Sequence, residues 1–114
     1  MIEDLLEQIS NNSSVESCGI FDLNGLLIVS SGNKDHLDKI SNSMHRILDE
    51  NSKQFHSLDV EPINCITLIG EKGITLFWPL KESSALVLKI DGEGNLGMIR
   101  KQISELIPRI ESLI

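Results

Sequence analysis

Apolar residues first recur at helical spacing. Ile2, Leu5, Leu6 and Ile9 fall at i, i+3, i+4 and i+7, which predicts an amphipathic helix over residues 2–10. Asn11, Asn12, Ser13 and Ser14 end it. Cys18, Gly19, Ile20 and Phe21 read as a strand and residues 26–29 as another. Between them lies Asp22-Leu23-Asn24-Gly25, in which Asn-Gly is a hairpin turn signal. After a loop at 30–33, Leu37, Ile40, Met44, Ile47 and Leu48 form the apolar stripe of a helix over 35–52. Residues 53–64 predict a loop and the start of a strand, with Pro62 suited to an edge. Three strands follow at 65–69, 74–78 and 83–90, the first two joined by a tight turn at Gly70-Glu71-Lys72-Gly73. Asn95 can cap the last helix, which carries Leu96, Ile99, Ile103, Leu106, Ile110 and Leu113. Pro108 inside that stripe predicts a kink, or a break near Leu106.

The order is therefore α-ββ-α-βββ-α, and the short links favour antiparallel hairpins within each strand group. Residues 26–29 and 85–88 are apolar at both parities, so both faces of the sheet are expected to be covered at those strands. Three amphipathic helices are available to cover them. The pattern predicts an α+β sandwich, a five-stranded antiparallel sheet with helices on both faces, and a single domain over residues 1–114.

Charge narrows the function. Seventeen acids against ten bases give a net charge of −7. The bases are scattered among acids, and Arg100-Lys101 is the only adjacent pair, so the basic stripe of a nucleic-acid binder is missing. No apolar stretch approaches the roughly 20 residues of a membrane span. The acidic start Met1-Ile2-Glu3-Asp4 is unlike a secretory leader. Ile2 is not the glycine of myristoylation, and no terminal cysteine invites prenylation. A cytoplasmic protein is expected. Cys18 and Cys65 lie far apart in apolar stretches and read as buried thiols. The Asn11 and Asn12 sequons then carry no meaning.

The motifs that could carry chemistry are incomplete. Gly92-Glu93-Gly94-Asn95-Leu96-Gly97 matches G-x-G-x-x-G between a strand and a helix, but no parallel strand follows that helix. There is no P-loop and no G-x-S-x-G. His36, His45 and His56 are not at metal-ligand spacing, and Asp49-Glu50 lies on a polar helix face. Phe77 and Trp78 suit a core or an interface. No catalytic residue, no metal ligand and no cofactor is expected, which favours an interaction protein.

Several segments resemble the Roadblock/LC7 family, which includes dynein roadblock light chains and MglB-type regulators of Ras-like GTPases. Residues 19–30 look like the family's first hairpin, an Asp-x-x-Gly turn between apolar strands. Pro79-Leu80, Ala85-Leu86-Val87-Leu88 and Asn95-Leu96-Gly97 look like its last two strands and the Leu-Gly start of its final helix. The likeness runs over about residues 2–112. It implies a profilin-like fold and a homodimer in which the third strand pairs with its twin and the second helix packs beside its counterpart. Those interface residues would be Cys65, Ile66, Thr67, Leu68 and Ile69, with Met44 and Leu48. A small Ras-like GTPase is the implied partner. Ser41, His45 and Arg46, the polar residues flanking Met44, would form the contact rim. No arginine matches a finger motif, so GTPase binding is better supported than GTPase activation. The competing reading is a PAS- or profilin-like module that senses a small ligand.

Overall fold

A computed structural model describes residues 1–92 and 95–114. The elements are α1 (Ile2–Ser10), β1 (Val15–Phe21), β2 (Leu27–Gly32), α2 (Leu37–Glu50), α3 (Ser52–Ser57), β3 (Ile66–Gly70), β4 (Gly73–Pro79), β5 (Ala85–Ile90) and α4 (Leu96–Ser112). All five strands join one antiparallel sheet in the order β2-β1-β5-β4-β3, as the hairpin argument anticipated. The two strand groups meet where β1 pairs with β5, a long-range pairing that no local pattern announces.

Two cores lie on the two faces of the sheet. On one, Leu5, Leu6 and Ile9 of α1 and Ile99, Ile103, Leu106 and Ile110 of α4 pack onto Cys18, Ile20, Leu76, Leu86 and Leu88. On the other, Leu37 and Met44 of α2 cover Phe21, Phe77, Ala85 and Val87. β5 is buried on both faces, as its unbroken apolar run required.

β2 meets the same expectation only in part. Leu26 is 64% exposed and Ile28 50%. The register gives the reason. Phe21 pairs with Leu27 and Ile20 with Val29, so Ile28 is the extra residue of a β-bulge. Leu27 turns to the α2 core and Val29 to the α1–α4 core, while Ile28 is left outside. Both faces of β2 are thus covered, through Leu27 and Val29, and the apolar run is longer than that coverage needs because the bulge leaves Ile28 outside.

The first hairpin turn is a four-residue turn held by its first residue. The Gly25 N–H donates to the Asp22 carbonyl at 3.0 Å, and Asp22 Oδ1 accepts from the N–H groups of Asn24 (2.9 Å) and Leu26 (3.0 Å). Gly25 takes the left-handed conformation at φ +79°, so its freedom from a Cβ closes the turn.

Three further expectations are corrected. The stretch after α2 forms the short helix α3 before an irregular segment leads to β3. Of the kink or break expected at Pro108, the break near Leu106 does not occur: α4 is continuous through Pro108 to Ser112. A 3₁₀ turn at Lys81–Ser83 delays β5 to Ala85. Asn95 does cap α4, its Oδ1 accepting from the Met98 N–H at 3.1 Å. The G-x-G-x-x-G stretch includes Glu93 and Gly94, which lie outside the described residues.

Candidate functional site

β3 is the sheet's other edge, hydrogen-bonded to β4 on one side only. Side chains alternate across a strand, so Ile66 joins the α2 core while Thr67 points to the opposite face, half-buried. Beyond them Leu68 is 51% exposed and Ile69 70%. An edge strand with free backbone groups and bare apolar side chains on both faces is a template for another strand. Leu58 and Val60, on the connection from α3, are exposed too. Of the five residues expected at a strand interface, Leu68 and Ile69 stand open, Ile66 and Thr67 are half-covered, and Cys65 lies just before β3, packed against the α1–α4 core.

α2 presents a different set of residues from the one expected. Met44 is 2% exposed, part of the core against Phe77, and Ser41 is fully buried. Both face the sheet in this fold, so neither offers side-chain surface to a neighbour. With Leu37 they form one stripe at i, i+4 and i+7, and that stripe is committed to the sheet. The pattern of polar against apolar residues alone puts Ser41 on the solvated face; its neighbours in the folded chain place it on the buried one. Leu48 is half-buried beside the same core.

His45 and Arg46 remain accessible. The His45 Nδ1 lies 2.9 Å from the Ser41 carbonyl oxygen; that oxygen can only accept, so Nδ1 carries the proton. The ring meets Phe77 edge-on, centroids 5.0 Å apart at 86°. Arg46 reaches Glu50 Oε1 at 3.4 Å in an exposed i, i+4 pair. Such pairs contribute about 0.3–0.5 kcal/mol, so the guanidinium can exchange Glu50 for a partner's carboxylate. Both side chains line an open cleft of about 320 Å³ against the β1–β2 turn, with Leu23, Asn42 and Asp49. Leu23, 65% exposed, was not among the expected contact residues. Its signal was its position inside a tight turn, where a side chain has no core to enter.

The thiols differ. Burial pushes Cys18 up to about 12, and its Sγ donates to the Leu6 carbonyl at 3.8 Å. Cys65 is only half-buried; burial raises its pKa, against the lowering effects of a Thr67 hydrogen bond, the Arg100 charge and the Phe77 backbone. Both are free. Among the described residues no cluster of three His, Cys, Asp or Glu side chains could hold a metal ion, and no helix is long and apolar enough to cross a membrane.

A five-stranded antiparallel sheet with α1 and α4 on one face and α2 on the other defines an α+β sandwich. No protein-family model matches the sequence, and no curated protein matches it. Solved structures match its shape. MglB of Myxococcus xanthus superposes with a TM-score of 0.82 at 15% identity, over 98% of this chain and 93% of that one. A Roadblock/LC7 domain from Streptomyces avermitilis gives 0.82 at 10% identity, over 97% and 95%. LokiProfilin1, solved with rabbit actin, gives 0.63 at 16% identity, over 99% and 96%. The chain has the Roadblock/LC7 fold.

Proposed function

We propose that residues 1–114 form a single non-catalytic cytoplasmic domain that pairs with a second copy of itself and regulates or scaffolds a small Ras-like GTPase. The observation that carries this reading is the open β3 edge with Leu68 and Ile69 exposed. Antiparallel addition of a second β3 would satisfy its free backbone groups and cover those side chains. The shape shared with MglB supports the GTPase part of the reading. Arg46, His45 and Leu23, around the cleft at the β1–β2 turn, are the contact surface of choice, since arginine is enriched at interface hot spots.

Two measurements test it. Light scattering should give the mass of a dimer, and Ile69→Lys should shift the protein to monomer while leaving its circular dichroism unchanged. A monomer at high micromolar wild-type concentration refutes the pairing. Binding is then measured to the source organism's Ras-like GTPase loaded with GDP or a GTP analogue. A GTPase rearranges its switch segments when the γ-phosphate is lost, so a regulator contacting them binds the two states unequally. Equal affinity reduces the protein to a scaffold, and an accelerated hydrolysis rate makes it an activator. No binding to any such GTPase favours the ligand-sensing reading.

A further inference from the structure

The sheet extends past the helices that cover it. On the α1–α4 face, an open groove follows the outer flank of α4 beside the β3–β4 margin. Its first half, about 420 Å³, is lined by Asn64, Cys65, Trp78, Arg100, Lys101 and Ser104. Its second half, about 370 Å³, adds Pro79, Ile107, Pro108 and Glu111. Asn64, Trp78 and Ser104 belong to both, so the two halves are continuous. From Gly97 to Glu111 the flank is about 21 Å long at 1.5 Å per helical residue. That length accommodates about six residues of extended chain at 3.3 Å each.

The groove is electrically polarised. Arg100 and Lys101 are the chain's only adjacent bases, in a protein of net charge −7. Among the described residues neither forms an ion pair. Both cations are exposed, and the Arg100 charge is felt inside the groove, at Cys65. At the far end, Glu111 already accepts the Lys81 N–H at 2.8 Å. Midway, Pro108 has no N–H to give the Ser104 carbonyl, so the helix leaves an acceptor without its usual donor. The indole of Trp78 and the side chain of Ile107 supply an apolar floor between the charged ends.

We propose that this groove docks an extended acidic peptide segment of a partner protein, its carboxylates at Arg100 and Lys101 and its apolar side chains over Trp78 and Ile107. Charge complementarity selects the occupant. The acidic surface elsewhere repels such a segment, so the two bases fix where it lands and in which direction it runs. This docking is independent of the GTPase reading, because the groove lies on the sheet face opposite α2.

Trp78 is the only tryptophan and reports on the groove directly. The probes are a blocked hexapeptide alternating glutamate and leucine, its glutamine–leucine counterpart, and inorganic phosphate, each titrated into the full chain at low ionic strength. The glutamate peptide should change Trp78 emission saturably. Its affinity should fall about tenfold or more in the R100Q/K101Q double variant, and fall again as salt rises, because exposed charges are screened. Arg100 and Lys101 are exposed, so circular dichroism should show the double variant folded. The same peptide should protect Cys65 from maleimide labelling. No saturable change at millimolar peptide overturns the proposal. So does a double variant that binds equally well, or a glutamine peptide that does. Phosphate binding as tightly as the glutamate peptide would make this a small-anion site and not a docking groove.

Discussion

Gly32 closes β2 opposite Ser17, at a point where an L side chain meets two obstacles at once. Its φ is +83°, and a Cβ there would run into the Glu16 carbonyl oxygen and lie 2.9 Å from the Ser17 Cα. Both are backbone atoms of β1, which cannot turn aside as a side-chain tip can. Gly25 separates the two effects: its φ is +79°, but its Cβ would meet only Asn42 Oδ1, at 3.6 Å. The left-handed conformation costs an L residue about 1–2 kcal/mol. Alanine also restricts the unfolded chain, which returns about 0.4–1 kcal/mol. Gly25→Ala should therefore cost about 0.5–1 kcal/mol net. Gly32→Ala adds the strain of overpacking, about 1–3 kcal/mol, and should cost about 2–4 kcal/mol in all. Urea unfolding followed through Trp78 measures both. With a urea slope of about 1.5 kcal/mol per M, the midpoint should fall by about 0.5 M for Gly25→Ala and about 2 M for Gly32→Ala. Equal shifts for the two variants would show that the Glu16–Ser17 backbone yields freely, and the close approach of β1 and β2 would then have no energetic weight.

The turn and the buried thiol give two more tests. Asp22→Ala removes the acceptor of the Asn24 and Leu26 N–H groups and should cost about 1–2 kcal/mol in the same assay, most of it restored in Asp22→Asn. Cys18 gives the protein an alkaline weakness, because the folded chain holds its proton to about pH 12 against an ordinary value of 9.0. Below pH 9 both states are protonated and Cys18 adds no pH dependence; above it the unfolded chain releases a proton that the folded chain keeps. Stability should then fall by up to about 1.4 kcal/mol per pH unit, and Cys18→Ala should flatten that slope. Identical slopes in wild type and variant between pH 9 and 11 would refute the assignment.

The candidate surfaces were legible to different degrees. Leu68 and Ile69 belong to a short apolar strand near Gly70, and their exposure follows once that strand is known to be an edge. Met44 was given an interface role by the resemblance and Ser41 a rim role by its polarity, yet both side chains face the sheet, because letters alone do not show which way a helix is turned. The α4 groove was illegible. Asn64, Trp78, Arg100 and Glu111 come from three separate stretches and meet only when β4 and α4 are laid side by side.

Sequence by itself determined the periods and the punctuation: three helical stripes, five apolar strands, the Asp22–Gly25 turn and the Asn95 cap. Each depends on side chains within a few residues of one another, where backbone geometry leaves a small set of outcomes. Tertiary structure decided what those elements meet. The bulge at Ile28 moved an apolar residue from an expected core to the surface, since pairing register is set by the neighbouring strand. It joined β1 to β5 across more than sixty residues of chain and left β2 and β3 as the edges. It also buried Ser41 and left Arg100 and Lys101 beside an open groove. Exposure is a property of contacts between distant segments, and no local pattern contains it.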